Sequence, residues 1–136
     1  MRIGEKTAEE IKLSLGAALI GGMERRQFKG RSLKTGLPEC VALTGGEVSH
    51  AIAPTVRKIV DSVRRTLSET PPELAADLID TGIVLTGGGA KLKGLDKLIS
   101  HETGLKVSIA EDPMYCVALG ALKLGSGEDM DAPRYA

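Results

Sequence analysis

Tryptophan is absent from the 136-residue chain, and one phenylalanine and two tyrosines (Phe28, Tyr115 and Tyr135) are its only aromatic residues. Any core must therefore be aliphatic, assembled from Leu, Ile, Val and Ala. The same scarcity removes the stacking platforms that single-stranded nucleic acid binding relies on. An excess of one charge is missing too. Eighteen basic and eighteen acidic residues cancel, whereas a nucleic-acid-binding domain shows a basic surplus; no nucleic acid partner is expected. The two cysteines, Cys40 and Cys116, stand far apart and outside any CxxC or Cys/His cluster, which argues against a zinc site. They read as reduced, buried small hydrophobes of a cytosolic protein. Long hydrophobic runs are also lacking. The longest charge-free stretch, Leu13 to Met23, falls well short of the ~20 residues of a membrane span. The acidic residues of "EKTAEEIK" crowd the region that a signal peptide would make basic. A cytoplasmic chain with no membrane segment of its own is expected.

What is present is the composition of a soluble globular domain, 42% hydrophobic and 26% charged, at a length that fits one domain or two small subdomains. Thr7-Ala8-Glu9-Glu10 has the form of a capping box. Apolar residues then recur at helical spacing, so a helix from about Thr7 to Leu19 is predicted, ended by Gly21-Gly22. "ERRQFKG" and "PECVALT", separated by Gly36-Leu37-Pro38, read as a strand pair. From Glu47 to Leu67 the spacing is helical again. Pro54 lies inside it and predicts a break, with a second helix starting there. "ELAADLI" reads as a short helix after the Pro71-Pro72 junction, and "GIVLT" as a buried strand. "LKGLDKLISHETG" is a helix capped by Gly104, and "KVSIA" the next strand. "DPMYCVALGALKLG" is a last helix, with Asp112 as N-cap and Pro113 at its first position. The order is an α/β one: helix and strand pair, then a βαβα half-layer. An apolar strand such as Ile83–Leu85 expects flanking strands that this sequence does not supply, so the chain reads as part of something larger.

The stretch "TGIVLTGGGAKLKGLDKLI", Thr81 to Ile99, sets three consecutive glycines between that strand and a helix. It is not a Walker A loop, because Gly-Lys-Ser/Thr does not follow. It is not the dinucleotide fingerprint either, because Leu92 occupies the third glycine position and no acidic residue ends a following strand. A tight turn that brings helix close to strand, and a turn cleared for a ligand, both remain open. "VALTGGEV" at Val41 to Val48 echoes the motif but reads as a helix N-terminus with Thr44 near the cap. His50 and His101 read as solvated helix positions, "MERRQFKGRSLK" as a charged strand edge protected from pairing. Asp77, Asp80, Glu111 and Asp112 fall in separate turns and do not form a working carboxylate pair.

The flanks of the glycines carry more. "IGEKTAEEIKLSLGAA", "GRSLKTGLPECVALTGGEV", "SETPPELAADLIDTGIVLTGGG" and "ETGLKVSIAEDPMYCVALGALK" together resemble the MreB family of the actin-like ATPase superfamily, in the same order and spacing, from about Ile3 to Leu124. The resemblance implies a partial actin-like (ribonuclease-H-like) ATPase lobe. Residues 1–52 would be part of the small subdomain of the second lobe, 53–125 the C-terminal part of its large subdomain, and 126–136 a flexible tail. It also implies that the glycine turn is the adenosine motif of an ATP site. Gly87, Gly88 and Gly89 would line the purine with Lys91 and Leu92 beside it, Glu9 would reach the ribose hydroxyls, and Lys12 would contact the base.

The family's two Asp-Gly-rich phosphate hairpins and its hydrolytic carboxylates have no counterpart in these 136 residues. The chain is therefore expected to be a truncated piece of a longer fold, to hold only the adenosine moiety of ATP, to leave the Mg²⁺ site elsewhere, and not to hydrolyse ATP alone. By the same resemblance, its setting is a filament involved in cell shape. The partners implied are further copies, a transmembrane adaptor and the cell-wall synthesis machinery, through which it would be membrane-associated. Other superfamily members, a sugar kinase or a heat-shock chaperone ATPase, keep the glycines but not the flanks "PPELAADL" and "AEDPMYCVALGA". A non-binding remnant serving as an interaction module is the third reading.

Overall fold

A computed structural model describes residues 1–20 and 22–126; most of the proposed tail, 127–136, lies outside the described residues. The chain runs α1 (Glu5–Leu15), β1 (Arg25–Arg31), β2 (Pro38–Thr44), α2 (Gly45–Glu69), α3 (Pro72–Thr81), β3 (Ile83–Leu85), a short 3-10 turn (Gly88–Lys91), α4 (Leu95–Thr103), β4 (Val107–Ile109) and α5 (Cys116–Ser126). Two small sheets result. β1 and β2 form an antiparallel hairpin, and β3 pairs in parallel with β4. The predicted α/β order of helix, strand pair and βαβα unit is the order found.

There are two aliphatic cores. In the first, Ile11 and Leu15, one turn apart on α1, meet Phe28 of β1 and Val48 of α2. In the second, Val56 and Val60 of α2 meet Leu95 and Ile99 of α4, with Ile83, Leu85 and Val107 of the parallel strands packed around them. α2 supplies residues to both. Its 25 residues make a rod about 37 Å long at the ~1.5 Å rise of an α-helix, and the hairpin and the βαβα unit hang from its two halves.

The start of that rod is fixed by a reciprocal cap. The Thr44 N–H and hydroxyl both donate to Glu47 Oε2, each at 2.8 Å, and the Glu47 N–H donates back to Thr44 Oγ1 at 3.2 Å. This satisfies helix donors that would otherwise be orphaned. The break expected at Pro54 does not occur, and α2 runs straight through it. Pro54 removes the bond to the His50 carbonyl, but both residues are exposed, so water can meet the freed acceptor. The flanking turns are pinned by Val48 on one side and by Val56 on the other. Packing overrides a local penalty of ~3 kcal/mol.

Four further expectations are corrected. α1 starts at Glu5 with Gly4 as its N-cap and no side-chain cap, so Thr7 and Glu10 do not form a capping box. It also ends four residues early, at Leu15 rather than Leu19, because Ala17 and Ala18 leave in extended form to pair with Lys93. α5 begins at Cys116 rather than at Pro113. The Pro113 carbonyl instead accepts from the Gly87 N–H, and Asp112 closes a turn by accepting from the Tyr115 N–H at 2.9 Å. The cysteines are free thiols, but Cys40 is exposed and Cys116 half-buried; Cys40 sits on the open face of the hairpin, where no core covers it.

The carboxyl of Glu47 is held below its ordinary range by the Thr44 backbone and hydroxyl hydrogen bonds. At intermediate acidity the unfolded chain therefore binds that proton first, and stability rises with pH there. The contribution is complete above the ordinary glutamate range and is lost as pH falls through the depressed folded-state value. Thr44→Ala should cost about 1 kcal/mol at neutral pH in urea titrations, and should flatten the acid limb of the stability curve. An unchanged acid limb in the variant would remove the cap from this account.

Candidate functional site

Gly16 ends α1, and the extended Ala17-Ala18 segment docks against Lys93, the Ala18 N–H donating to the Lys93 carbonyl at 2.8 Å. A side chain at Gly16 would collide with the Lys12 carbonyl, so this sharp exit needs glycine. The exit leaves a cleft of about 390 Å³ between the end of α1, the middle of α2 and the glycine turn. Its floor is the helical stripe Ile52, Thr55, Val56 and Ile59, its walls are Lys12, Leu13 and Gly16 on one side and Gly88, Gly89, Lys91, Leu92, Lys93 and Leu95 on the other. The cleft is mainly apolar, and its charged side chains are all lysines.

The glycines divide into two kinds. Gly87 has φ 77 and ψ 177, a region reserved for glycine, and it anchors the turn to Pro113. Gly88 and Gly89 have no positive φ. A Cβ built on either meets nothing within 4 Å. Neither backbone conformation nor packing within the chain requires glycine there, while the adjoining Ala90 is 2% exposed and fills its space. What those two positions have in common is that they face the cleft.

Of the residues singled out in the sequence, the fold brings Lys12, Gly88, Gly89, Lys91 and Leu92 to one cleft. Gly87 supports it from behind. Glu9 stands on the adjoining outer face of α1, lining a shallower groove with Lys6, Glu10, Leu13 and Ser14, and it reaches the cleft through Lys12, whose Nζ lies 2.8 Å from Glu9 Oε2. Both partners of that pair are about half exposed, so it is weak and easily exchanged. Sequence reasoning missed the floor. Ile52, Thr55, Val56 and Ile59 follow the i, i+3, i+4, i+7 pattern, which reads as core and did not distinguish a cleft-lining stripe. Lys93 was missed as well. Its charge adds a smaller pull to the Arg26 hydrogen bond and charge that lower the Glu24 carboxyl. Among the described residues no group of three or more His, Cys, Asp or Glu could hold a metal ion, and no helix is long and apolar enough to cross a membrane.

This arrangement, a small α/β fold with a glycine turn over an apolar cleft, has close structural counterparts. The MreB5 protein of Spiroplasma citri superposes with a TM-score of 0.87 at 33% identity, over 93% of this chain and 39% of that one, in a crystal structure bound to ADP. The same protein bound to AMPPNP gives the same TM-score. In sequence, the chain is 44% identical to the cell shape-determining protein Mbl of Bacillus cereus over 119 residues, 87% of this chain and 36% of that protein. It is 45% identical to the cell shape-determining protein MreB of Escherichia coli over 122 residues, 89% of this chain and 35% of that one. The fold is thus a partial actin-like lobe. Residues 1–132 match the MreB/Mbl protein family, and the chain belongs to that family. It spans little more than a third of the length of these relatives.

The two kinds of glycine should separate in stability measurements. Gly87→Ala should destabilise by about 1–3 kcal/mol, the cost of forcing a side chain into that backbone region. Gly88→Ala and Gly89→Ala should be neutral, or stabilising by about 0.4–1 kcal/mol through the unfolded chain. Equal losses at all three positions in thermal or urea unfolding would show that the turn needs its glycines for folding alone.

Proposed function

We propose that the chain supplies the adenosine side of the ATP cleft of an MreB/Mbl-type filament protein with a role in cell shape. The observation that carries this reading is the unfilled space over Gly88 and Gly89 beside an apolar cleft walled by Lys12. A purine is flat and apolar on its faces and carries ring-nitrogen acceptors at its edge. The floor of Ile52, Val56 and Ile59 suits the first property, and the Lys12 ammonium suits the second. Lys91 and Leu92 flank the base. Glu9, acceptor-only when ionised, is the residue for the ribose hydroxyls, and it exchanges Lys12 for them as the ligand enters. The two subdomains of the second lobe are residues 1–52 and 53–125, with α2 continuous between them.

The phosphates and Mg²⁺ are a different matter. Phosphoryl transfer needs positioned charge around the metal and the γ-phosphate, and the residues present offer no Asp-Gly hairpin for either. The chain's part is therefore binding and orientation of adenosine. Filament formation, a cytoplasmic setting, attachment through a transmembrane adaptor and service to the cell-wall synthesis machinery complete the proposal. The family resemblance supports all of these.

Chemical-shift perturbation of the labelled chain with adenosine should show shifts confined to α1, the cleft floor of α2 and the Gly87–Leu92 turn. The affinity should be roughly millimolar, ~4 kcal/mol, and about equal for adenosine and ATP. Lys12→Ala removes a charge-assisted contact of about 1.5–3 kcal/mol, and Gly88→Val fills the purine's space, so each should abolish binding. Shifts elsewhere, or shifts surviving both substitutions, would place the pocket somewhere else. With ATP and Mg²⁺ the chain should release phosphate at the rate of buffer alone; a saturable rate lost on mutating a carboxylate of this chain would overturn the binding-only reading.

A further inference from the structure

A serine or threonine inside a helix can turn its hydroxyl back onto the carbonyl three or four residues earlier, or leave it for a partner outside the helix. Farther along α2 the first choice is made each time. Ser62 donates to the Lys58 carbonyl at 2.8 Å, Thr66 to the Ser62 carbonyl at 3.0 Å and Ser68 to the Arg65 carbonyl at 2.7 Å. Ser14 of α1, Thr81 of α3 and Thr103 of α4 do the same. Two residues of α2 depart from this habit. Ser49 is buried with its hydroxyl unpartnered. Thr55 is exposed, its hydroxyl makes no hydrogen bond among the described residues, and it lines the cleft.

Its surroundings give that free hydroxyl its weight. Ile52 and Ile59 stand one turn before and one turn after Thr55, and with Val56 they make the rest of the floor apolar. The charged side chains of the cleft, Lys12, Lys91 and Lys93, carry donors only. Thr55 is therefore the one side chain lining the cleft, among the described residues, that can accept a hydrogen bond. Solvent satisfies its exposed hydroxyl while the cleft is open. A flat ligand that displaces the solvent must offer a partner in return, or the hydroxyl is left unpaired beneath it. A ligand edge made of acceptors is served by the lysines. An edge with an N–H needs Thr55.

We propose that Thr55 selects the base: its hydroxyl oxygen accepts from the exocyclic 6-amino group of a 6-aminopurine. This deepens, and rests on, the adenosine reading above. The 6-amino group carries the only N–H bonds of the adenine ring in a nucleoside, and lysine donors alone would leave it without a partner in the cleft. A hydroxyl donates as well as accepts, so the same side chain can return its proton to the ring nitrogen beside the amino group. Folding makes no use of this hydroxyl. Valine has nearly the same shape and lacks only the polar atom, so replacing Thr55 by valine separates recognition of the base from packing of the floor.

Titrations with adenosine and with purine riboside, the same nucleoside bearing hydrogen in place of the 6-amino group, test it through the backbone amide shifts of the glycine turn. The unaltered chain should bind adenosine about three- to tenfold more tightly than purine riboside, the range of one neutral hydrogen bond. Thr55→Val should bring the two nucleosides to about the same affinity. Adenosine weakens, and purine riboside holds or gains because no unpaired hydroxyl lies beneath it. Thr55→Ser keeps the hydroxyl and should keep the preference. Thermal unfolding of Thr55→Val should match or exceed that of the unaltered chain, which sets the lost preference apart from a folding defect. A preference for adenosine that survives in Thr55→Val overturns the proposal. So does an unaltered chain that binds both nucleosides equally, or an equal loss of both in Thr55→Val, which would make the residue part of the cleft's shape. Each of these results leaves the adenosine site standing, whereas an unaltered chain that binds neither nucleoside overturns both readings.

Discussion

One helix serving two cores is the constraint on which the rest of the structure depends. Val48 of α2 closes the core beneath the hairpin, and Val56 and Val60 close the core of the βαβα unit. Neither core is large, and neither would hold its part of the chain against conformational entropy without the shared helix. Continuity through Pro54 follows from this. A break there would free one core from the other and separate the two walls of the cleft. The helix tolerates a missing hydrogen bond because both ends of the gap are locked by packing.

The cleft is a by-product of how α1 stops. Gly16 ends that helix early, and the next residues cross to Lys93, so the end of α1 and the glycine turn face each other over the middle of α2. The chemistry then follows from which atoms are absent. At Gly88 and Gly89 no side chain is present and none is excluded by the protein itself. The cleft has an apolar bed, lysine donors and no carboxylate on its walls. It suits a neutral heteroaromatic ring with edge acceptors, and it offers a metal–phosphate group only ammonium donors, with no carboxylate to ligate the metal.

The surface is unusual in what it leaves bare. α5 has no buried residue although Val117, Leu119, Leu122 and Leu124 are all large and apolar. A helix apolar on all sides normally lies inside a fold. The parallel pair β3–β4 has only two strands, where parallel sheets are covered on both faces. These features agree with a chain that matches little more than a third of its relatives' length.

Element types and their order were legible in the residues, because they rest on local rules. The hairpin, the Thr44 helix start, the short helix after Pro71-Pro72 and the Gly104 cap all carry their signals within a few positions. The family resemblance of the flanking motifs pointed to the glycine turn, Lys12 and Glu9, of which the fold brings Gly88, Gly89 and Lys12 to one cleft and leaves Glu9 on the adjoining outer face. What the sequence left undecided were the places where a distant partner outweighs the local signal. Lys93 draws Ala17 and Ala18 out of α1, and the Gly87 N–H draws Pro113 out of α5. Two cores keep α2 continuous through a proline. The stripe of Ile52, Val56 and Ile59 reads as core from periodicity, and only the tertiary arrangement leaves part of it open as the floor of a cleft. Spacing along a helix states which residues share a face, and what lies against that face is decided by segments elsewhere in the chain.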